Sequence, residues 1–415
     1  MMNSNQNAYG TDTLDPKIRS RFVDNNNGLN VHILEAGFEE TESEKGSRPV
    51  VLLLHGHPEL AYSWRKQLVP LADQGFHVIA PDLRGSGRTT GWETGFDCNL
   101  DQFSLYNNVQ DMIGLVYALG YKTVAAVAGH DFGSPAAALC SFIRPDIFKS
   151  LIIMSTPWPG TPQFPFNSAN LPKDTTNYDP TLTKSMEEQL GSLVPPRKHY
   201  QMYFASSHAN DEIMNAPQGI HDFMRAYNHA KSGDWQENNP HSLQAKTLEE
   251  FSKIPKYYVM DLDKSMPEQV MEFMPTQAQI DACEWLPDNE LKVFSDEFTR
   301  TQFQGTMNSY RCATNPKYFH AIKTFSGKSI DVPVVFIAGE KDWGPYQSYG
   351  NFEAMKASIA QLEIHFVKGA GHWVQQEQPK AVNDIMIEFL KDKKITAQIL
   401  GIAVHYLNLQ CSLRG

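Results

Sequence analysis

The sequence predicts an α/β protein: a mostly parallel sheet with helices on both faces, interrupted by an inserted, mainly helical cap. Three observations carry that expectation. Apolar runs of strand length alternate with helical stretches through residues 49–154, a rhythm that requires crossover connections and hence parallel strands. The rhythm is lost from 157 to 329, where Pro, aromatic residues and Met dominate. It resumes from 332 to 391, which makes the intervening segment an insertion. The expected division is 1–156 and 330–393 for the two parts of the core, 157–329 for the cap and 394–415 for a C-terminal tail.

Short apolar segments at 21–23 and 29–34 flank the turn signal Asp24-Asn25-Asn26-Asn27-Gly28, so a β-hairpin should open the fold. A polar stretch, 39–47, reads as a surface loop. Residues 49–54 form a continuous apolar run of the kind found in strands buried on both faces. It ends in His55-Gly56-His57-Pro58-Glu59, and the strand at 77–80 ends likewise in Pro81-Asp82-Leu83-Arg84-Gly85-Ser86-Gly87. Helical spacing at 64–74 and 105–119 brackets that second strand, and a third, 122–128, runs into Gly129-His130-Asp131-Phe132-Gly133. A fourth spans 148–154. Within the cap, 186–193 and 267–273 read as helices. After it come a strand at 332–338, a helix near 352–360, a strand at 362–367 and a helix at about 379–391. In the tail, Ile395, Ile399, Ile402 or Ala403, and Tyr406 share one helical face, which suits a helix covering the sheet edge, a frayed end or a docking helix. The polar residues of interest therefore follow strands, at the carboxyl edge where open α/β sheets bind ligands.

The chain has 415 residues, 41% of them hydrophobic and 20% charged, the profile of an ordinary globular protein with a sizeable core. Lys and Arg number 36 against 47 Asp and Glu, a net charge of −11. That balance disfavours nucleic acid and anionic membranes as partners and suits a neutral substrate. Cysteines at 98, 140, 283, 312 and 411 show no metal-ligand spacing, and their odd number suggests no disulfide framework. They read as reduced thiols in a cytoplasmic protein. The first fifteen residues lack the apolar core of a signal peptide, and no run approaches the roughly 18 apolar residues of a membrane span. Neither a metal nor a cofactor is expected, and the oligomeric state is not legible in the chain.

An apolar strand, a glycine-flanked turn and the small residues Pro135-Ala136-Ala137-Ala138 give 124–139 the layout of a nucleophile elbow. The chain doubles back so tightly there that only glycine fits at the flanks. The exposed central residue is Asp131 where Ser would suit acyl transfer. A carboxylate attacking an acyl carbon gives only an anhydride, whereas attack on an sp³ carbon gives an ester that water can hydrolyse. Epoxides and alkyl halides are thus the candidate electrophiles. The pentapeptide taken alone also suits a simple turn with a helix N-cap aspartate.

Such a nucleophile needs a base to activate water, and the base needs an orienting acid. His372 follows the strand at 362–367, and Glu340 and Asp342 follow the strand at 332–338, in the chain order nucleophile, acid, histidine. His130 is the weaker candidate base, because neighbours at an elbow point in different directions.

His55-Gly56-His57-Pro58, Asp82-x-Arg84-Gly85-x-Gly87, Gly129-His130-Asp131-Phe132-Gly133, Gly339-Glu340-Lys341-Asp342 and Gly371-His372-Trp373 together resemble the motif set of soluble epoxide hydrolases of the α/β-hydrolase fold. The resemblance covers residues 20–156 and 330–393. It implies hydrolysis of a small, largely apolar epoxide by water, with Asp131 as nucleophile, His372 as base and Asp342 as its acid. The segment 199–204 is similar to the one that carries an epoxide-activating tyrosine in that family, and 303–311 to the one that carries the other. Tyr200 and Tyr310 are the residues so implied, with Tyr203 a competitor for Tyr200. The resemblance also implies an oxyanion hole from the backbone N–H groups of His57 and Phe132 and a cis bond before Pro58. Glu59 either helps to position the water or is a solvated loop carboxylate.

The chain departs from the family pattern at Phe132, where Trp is common, at His57 and Ser309, where aromatic residues are common, and in the length of its cap. Two other readings compete: a haloalkane or haloacetate dehalogenase using the same Asp131, and a catalytically idle hydrolase fold serving as a binding module.

Overall fold

The structure of the protein, a computed structural model, describes residues 9–10, 12–38, 48–162 and 186–391. The loop expected at 39–47 and the tail at 394–415 lie outside the described residues.

Eight strands form one sheet: β1 (Arg19–Asp24), β2 (Asn30–Ala36), β3 (Val50–Leu54), β4 (His77–Pro81), β5 (Ala126–His130), β6 (Leu151–Met154), β9 (Val334–Gly339) and β10 (Leu362–Val367). Their order is β1-β2-β4-β3-β5-β6-β9-β10, and pairing is parallel from β4 to β10, with β1 and β2 antiparallel at one edge. Helices α1 (Arg65–Ala72), α2 (Leu105–Ala118) and α3 (Gly133–Ile143) connect the first parallel strands. Two further strands, β7 (Arg197–His199) and β8 (Val259–Asp261), pair antiparallel within the segment between β6 and β9. The sequence shows no sign of that small two-stranded sheet. The other described elements of this segment include the helices α4 (Met186–Gly191), α5 (Tyr200–Phe204), α6 (Ala209–Met214), α7 (Gly219–Lys231), α8 (Leu248–Ser252), α9 (Met266–Met271), α10 (Gln277–Asp281), α11 (Asp288–Thr301) and α12 (Gln304–Ala313). The chain ends its described part with α13 (Asn351–Ser358), α14 (Val374–Glu377) and α15 (Pro379–Lys391).

The apolar run of β3 is buried at all five positions because the sheet is covered on both sides. Val51 and Leu53 enter one apolar cluster, which they share with α1, α15 and the inserted helices. Val50, Leu52 and Leu54, pointing the other way by the two-residue period of a strand, enter a second cluster with α2 and α3.

Two expectations shift in detail. The third parallel strand, expected at 122–128, begins at Ala126 and runs two residues further, because Gly129 pairs with Leu54 and His130 with Met154 before the chain turns. The fourth begins at Leu151, since Phe148 contributes only an isolated bridge to Val124. The first shift tightens the site, for it carries the ladder up to the residue before Asp131. The adjacent carboxyl ends of β3, β5, β6 and β9, with that of β10 beside them, then place His57, Asp131, Ser155, Asp342 and His372 along one edge.

Candidate active site

Asp131 sits in the turn between β5 and α3 with φ +50°, a left-handed conformation that a non-glycine residue adopts only when its surroundings impose it. The surroundings here leave no alternative. A Cβ on Gly129 would meet the Gly133 carbonyl oxygen at 2.1 Å, and one on Gly133 would meet that of Leu54 at 2.2 Å. A Cβ on Gly56 would lie 2.4 Å from the Cβ of Asp131 itself, so the loop after β3 closes down on the acid only because it too carries glycine. The N-cap reading of this turn fails, because Phe132 is the N-cap of α3 and no side chain caps it. The Asp131 carboxylate turns elsewhere: the His57 backbone N–H donates to its Oδ1 at 3.0 Å.

His372 faces the other carboxylate oxygen. Its Nε2 lies 3.3 Å from Asp131 Oδ2, close enough for an ion pair but not aligned as a hydrogen bond. Its Nδ1 lies 3.2 Å from Asp342 Oδ1 and 2.9 Å from the Ser155 hydroxyl. The Gly344 backbone N–H donates to the same Asp342 oxygen at 2.7 Å, and the His372 backbone N–H donates to the Lys231 carbonyl at 2.8 Å. Asp131, Asp342 and His372 are all buried. Burial alone would raise the Asp131 carboxyl, but the imidazole of His372 and the nearby Lys231 and His130 outweigh it and hold the group well below the ordinary carboxylate range. Burial pulls Asp342 upward in the same way, and His372, the Ser155 hydroxyl and the Gly344 amide pull it below its ordinary value. Both acids are therefore ionised at neutral pH.

The cap supplies aromatic groups above Asp131. Tyr200 on α5 and Tyr310 on α12 are buried, their ring centroids 5.9 Å apart. Tyr200 donates to Gln347 Oε1 at 3.0 Å and accepts from the Gln201 amide at 3.3 Å. Tyr310 stands edge-on to Phe132 at 4.5 Å and to His57 at 5.2 Å. Burial, with the Asp131 charge second, pushes both phenols above their ordinary value, so both remain protonated donors. A cavity of about 490 Å³ is lined by both Asp131 and Tyr200, with Leu105, Phe132, Trp158 and Ile322 among its apolar walls. Neither Tyr310 nor Tyr203 lines it: Tyr310 packs on its Phe132 wall, whereas the Tyr203 ring packs against Phe204 and His208. A smaller apolar recess of about 50 Å³ shares Phe132 and Trp158 with this cavity but is not lined by Asp131.

The loop after β3 contains a cis bond between His57 and Pro58. Glu59 is not a solvated loop carboxylate, being 1% exposed. Its Oε2 accepts from the Gly56 backbone N–H at 2.7 Å and lies 2.6 Å from His130 Nδ1, while the Gln375 amide donates to its Oε1 at 3.1 Å. His130 Nε2 in turn lies 2.7 Å from the His372 carbonyl oxygen. The residue before the elbow acid thus points behind the sheet edge and braces the backbone of His372. Burial opposes a charge on His130, but Glu59 overcomes it and pushes the imidazole up to about 9, while the same pairing lowers Glu59. The raised His130 contributes stability that is complete below its ordinary value of 6.5 and is lost as pH rises through about 9. Glu59 contributes above its ordinary value of 4.5, and that part is lost as pH falls through its lowered one. His130→Leu strands a buried carboxylate and should cost about 3–5 kcal/mol in urea unfolding at pH 6. A loss below about 1 kcal/mol would mean that the pair carries no structural charge.

Sequence reasoning passed over four residues here. Ser155 carries a signal in its place directly after β6, at the carboxyl edge of the sheet. Gln347, which accepts from Tyr200, lies in a stretch with no motif, and Thr306, whose hydroxyl lies 2.8 Å from His57 Nδ1, lies within 303–311, a segment that drew notice only for Tyr310. Lys231 ends an amphipathic helix, where a lysine ordinarily serves the helix dipole in solvent.

An acid at a strand-to-helix elbow, joined at one sheet edge by a histidine and a second acid from later strands, defines an enzyme, a hydrolase of the α/β type. The chain belongs to the alpha/beta hydrolase fold family, whose model matches residues 49–379. It is 29% identical over 371 residues to epoxide hydrolase A of Mycobacterium tuberculosis, covering 89% of this chain and 96% of that protein. An epoxide hydrolase from an endophytic Streptomyces superposes with a TM-score of 0.68 at 26% identity, over 91% of this chain and 96% of that one. Potato (Solanum tuberosum) epoxide hydrolase I gives 0.66 at 27% identity, over 90% and 99%. The resemblance read from the motifs therefore holds over most of the chain. Among the described residues, no helix is long and apolar enough to cross a membrane.

Proposed function

We propose that the protein hydrolyses a small, largely apolar epoxide to a vicinal diol through an ester on Asp131. The observation that carries this reading is an ionised acid at the elbow, 3.3 Å from His372, in a mostly apolar cavity that a buried tyrosine of the cap also lines. A carboxylate oxygen of Asp131 attacks a ring carbon and the carbon–oxygen bond of the ring breaks. The ring oxygen takes its proton from Tyr200 or Tyr310. Water then attacks the ester carbonyl, His372 removes its proton and Asp342 stabilises the imidazolium. The oxygen charge that builds on the carbonyl falls to the backbone N–H groups of His57 and Phe132. Collapse releases the diol, and the proton on His372 restores the phenol.

In this reading 157–329 is a cap that brings the two phenols over the core formed by 1–156 and 330–393. The dehalogenase reading is the weaker, because a departing halide needs donors beside the nucleophile. Phe132 has no N–H on its ring, and His57 Nδ1 is engaged by Thr306. Intact ionised acids and a histidine in contact with both count against an idle binding module. The four described cysteines are free, which suits the cytoplasm.

His372→Gln tests the scheme, since the base is needed only when water attacks. Incubation with an epoxide should leave a persistent mass increase of one substrate on Asp131, seen by intact and peptide mass spectrometry, with turnover lowered on the order of 10³-fold or more. A folded variant that never gains the mass would mean that Asp131 is not the nucleophile.

A further inference from the structure

Lys231, the last residue of α7, is a cation inside the protein. It is 2% exposed, and its ammonium lies 4.6 Å from the ring centroid of Tyr258, 4.8 Å from Tyr227, 5.7 Å from Trp373 and 5.8 Å from Tyr200. Its ammonium has no ion-pair or hydrogen-bond partner among the described residues. A cation that gives up water for four aromatic faces is costly to bury, and the faces recover only part of the loss. An apolar residue would fill the same space at no such cost, so the charge has a use that packing does not explain.

We propose that Lys231 is a positioning residue for ring opening, its ammonium acting through the ring of Tyr200 to stabilise negative charge as it develops on the epoxide oxygen. The inference rests on the epoxide reading and adds to it a residue that touches no reacting atom. Before reaction the negative charge is on Asp131, and in ring opening it moves toward the phenols. The cation attracts the charge at both places. Its direct seat is the tyrosine cluster, so transfer brings the charge toward the lysine and the net effect favours reaction. Burial opposes a phenolate at Tyr200, and the cation lies against that ring at 5.8 Å.

The lysine is poised to titrate. Burial lowers it to about 8, with Asp131, Asp342 and Glu59 pulling the other way. The titratable and charged groups around it are Asp131 after β5, Asp342 after β9, Glu59 and His57 after β3, Tyr200 on α5, Tyr227 on α7, Tyr258 before β8 and His372 after β10, whose backbone N–H donates to the Lys231 carbonyl. Protonated below about 8, it supplies the cation there, and ring opening loses it as pH rises further.

Single-turnover kinetics on the full chain, with styrene oxide as the probe, tests this. Lys231→Met should slow formation of the Asp131 ester tenfold or more at pH 7 and change its hydrolysis less than twofold. The wild-type rate of ester formation should fall as pH rises through about 8, and that limb should vanish in the variant. In a Tyr200→Phe background the same change should slow ester formation less than threefold, because the phenolic hydroxyl whose developing charge it stabilises is gone. Lys231→Arg, which keeps a cation that does not titrate in this range, should retain the rate within tenfold and lose the limb. Ester formation at the wild-type rate in folded Lys231→Met, or a limb that persists in Lys231→Arg, would overturn the proposal and leave the epoxide reading intact. A wild-type protein that forms no ester with any epoxide would remove both.

Discussion

Asp131→Ala is expected to abolish epoxide hydrolysis, on the order of 10⁵-fold or more, with the fold and thermal stability retained. The size follows from what the residue does in the scheme: without the carboxylate no ester forms, and the remaining groups were not arranged to send water directly at a ring carbon. His372 Nε2 faces Asp131 Oδ2 at 3.3 Å, so the base is aimed at the ester carbonyl position and not at the open cavity. Stability should hold or rise, since a left-handed acid buried at a strained turn is a cost that folding sustains for function. The companion measurement is a single turnover of the wild type in ¹⁸O water. The first diol should carry no solvent label at its new oxygen, which comes from Asp131. Immediate incorporation of label would mean direct attack by water and would end the covalent scheme.

How much of this was legible in the chain depended on whether a residue's role is local. The elbow was legible because its causes are neighbours in sequence: an apolar strand, then glycines at 129 and 133, each of which leaves less than 2.3 Å to a carbonyl oxygen for any added Cβ. Asp342 and His372 were legible because each follows a strand whose apolar run is plain, and a parallel sheet brings such ends together. The strand limits were off by two residues at Gly129 and His130, since a glycine and a histidine do not look like strand residues and only the pairing with Leu54 and Met154 makes them so. The pairing of His130 with Glu59 was not legible for a related reason. A histidine beside the acid and a glutamate in a loop each look solvated or catalytic alone, and their 2.6 Å contact spans 71 residues. Lys231 left no trace, because nothing in the sequence of an amphipathic helix says that its last lysine will meet aromatic residues from three other segments.

Tyr200→Phe and Tyr310→Phe are each expected to slow ester formation by about 10²- to 10³-fold, or roughly 3–4 kcal/mol, while leaving hydrolysis of a preformed ester nearly untouched. The phenols matter only while charge grows on the leaving oxygen, and that happens only in the first step. Their placement suits joint action on one oxygen, because the rings stand 5.9 Å apart at 77°, Tyr200 lines the cavity beside Asp131, and Tyr310 packs edge-on to the Phe132 ring that forms its wall. Losing one leaves the other to hold the oxygen, whereas the double variant offers it no acid at all and should be close to inactive on epoxides. Tyr203→Phe serves as the control, since its ring lies against Phe204 and His208, neither lining that cavity as Tyr200 does nor packing on its Phe132 wall as Tyr310 does, and its removal should change ester formation less than threefold. Halides extend the test, because a halide leaves without a proton: an enzyme built for them would keep most of its alkyl-halide activity in the double variant. Full epoxide turnover by Tyr200→Phe, Tyr310→Phe would remove the cap phenols from the mechanism. With them would go the main reason for preferring an epoxide over a halide at Asp131.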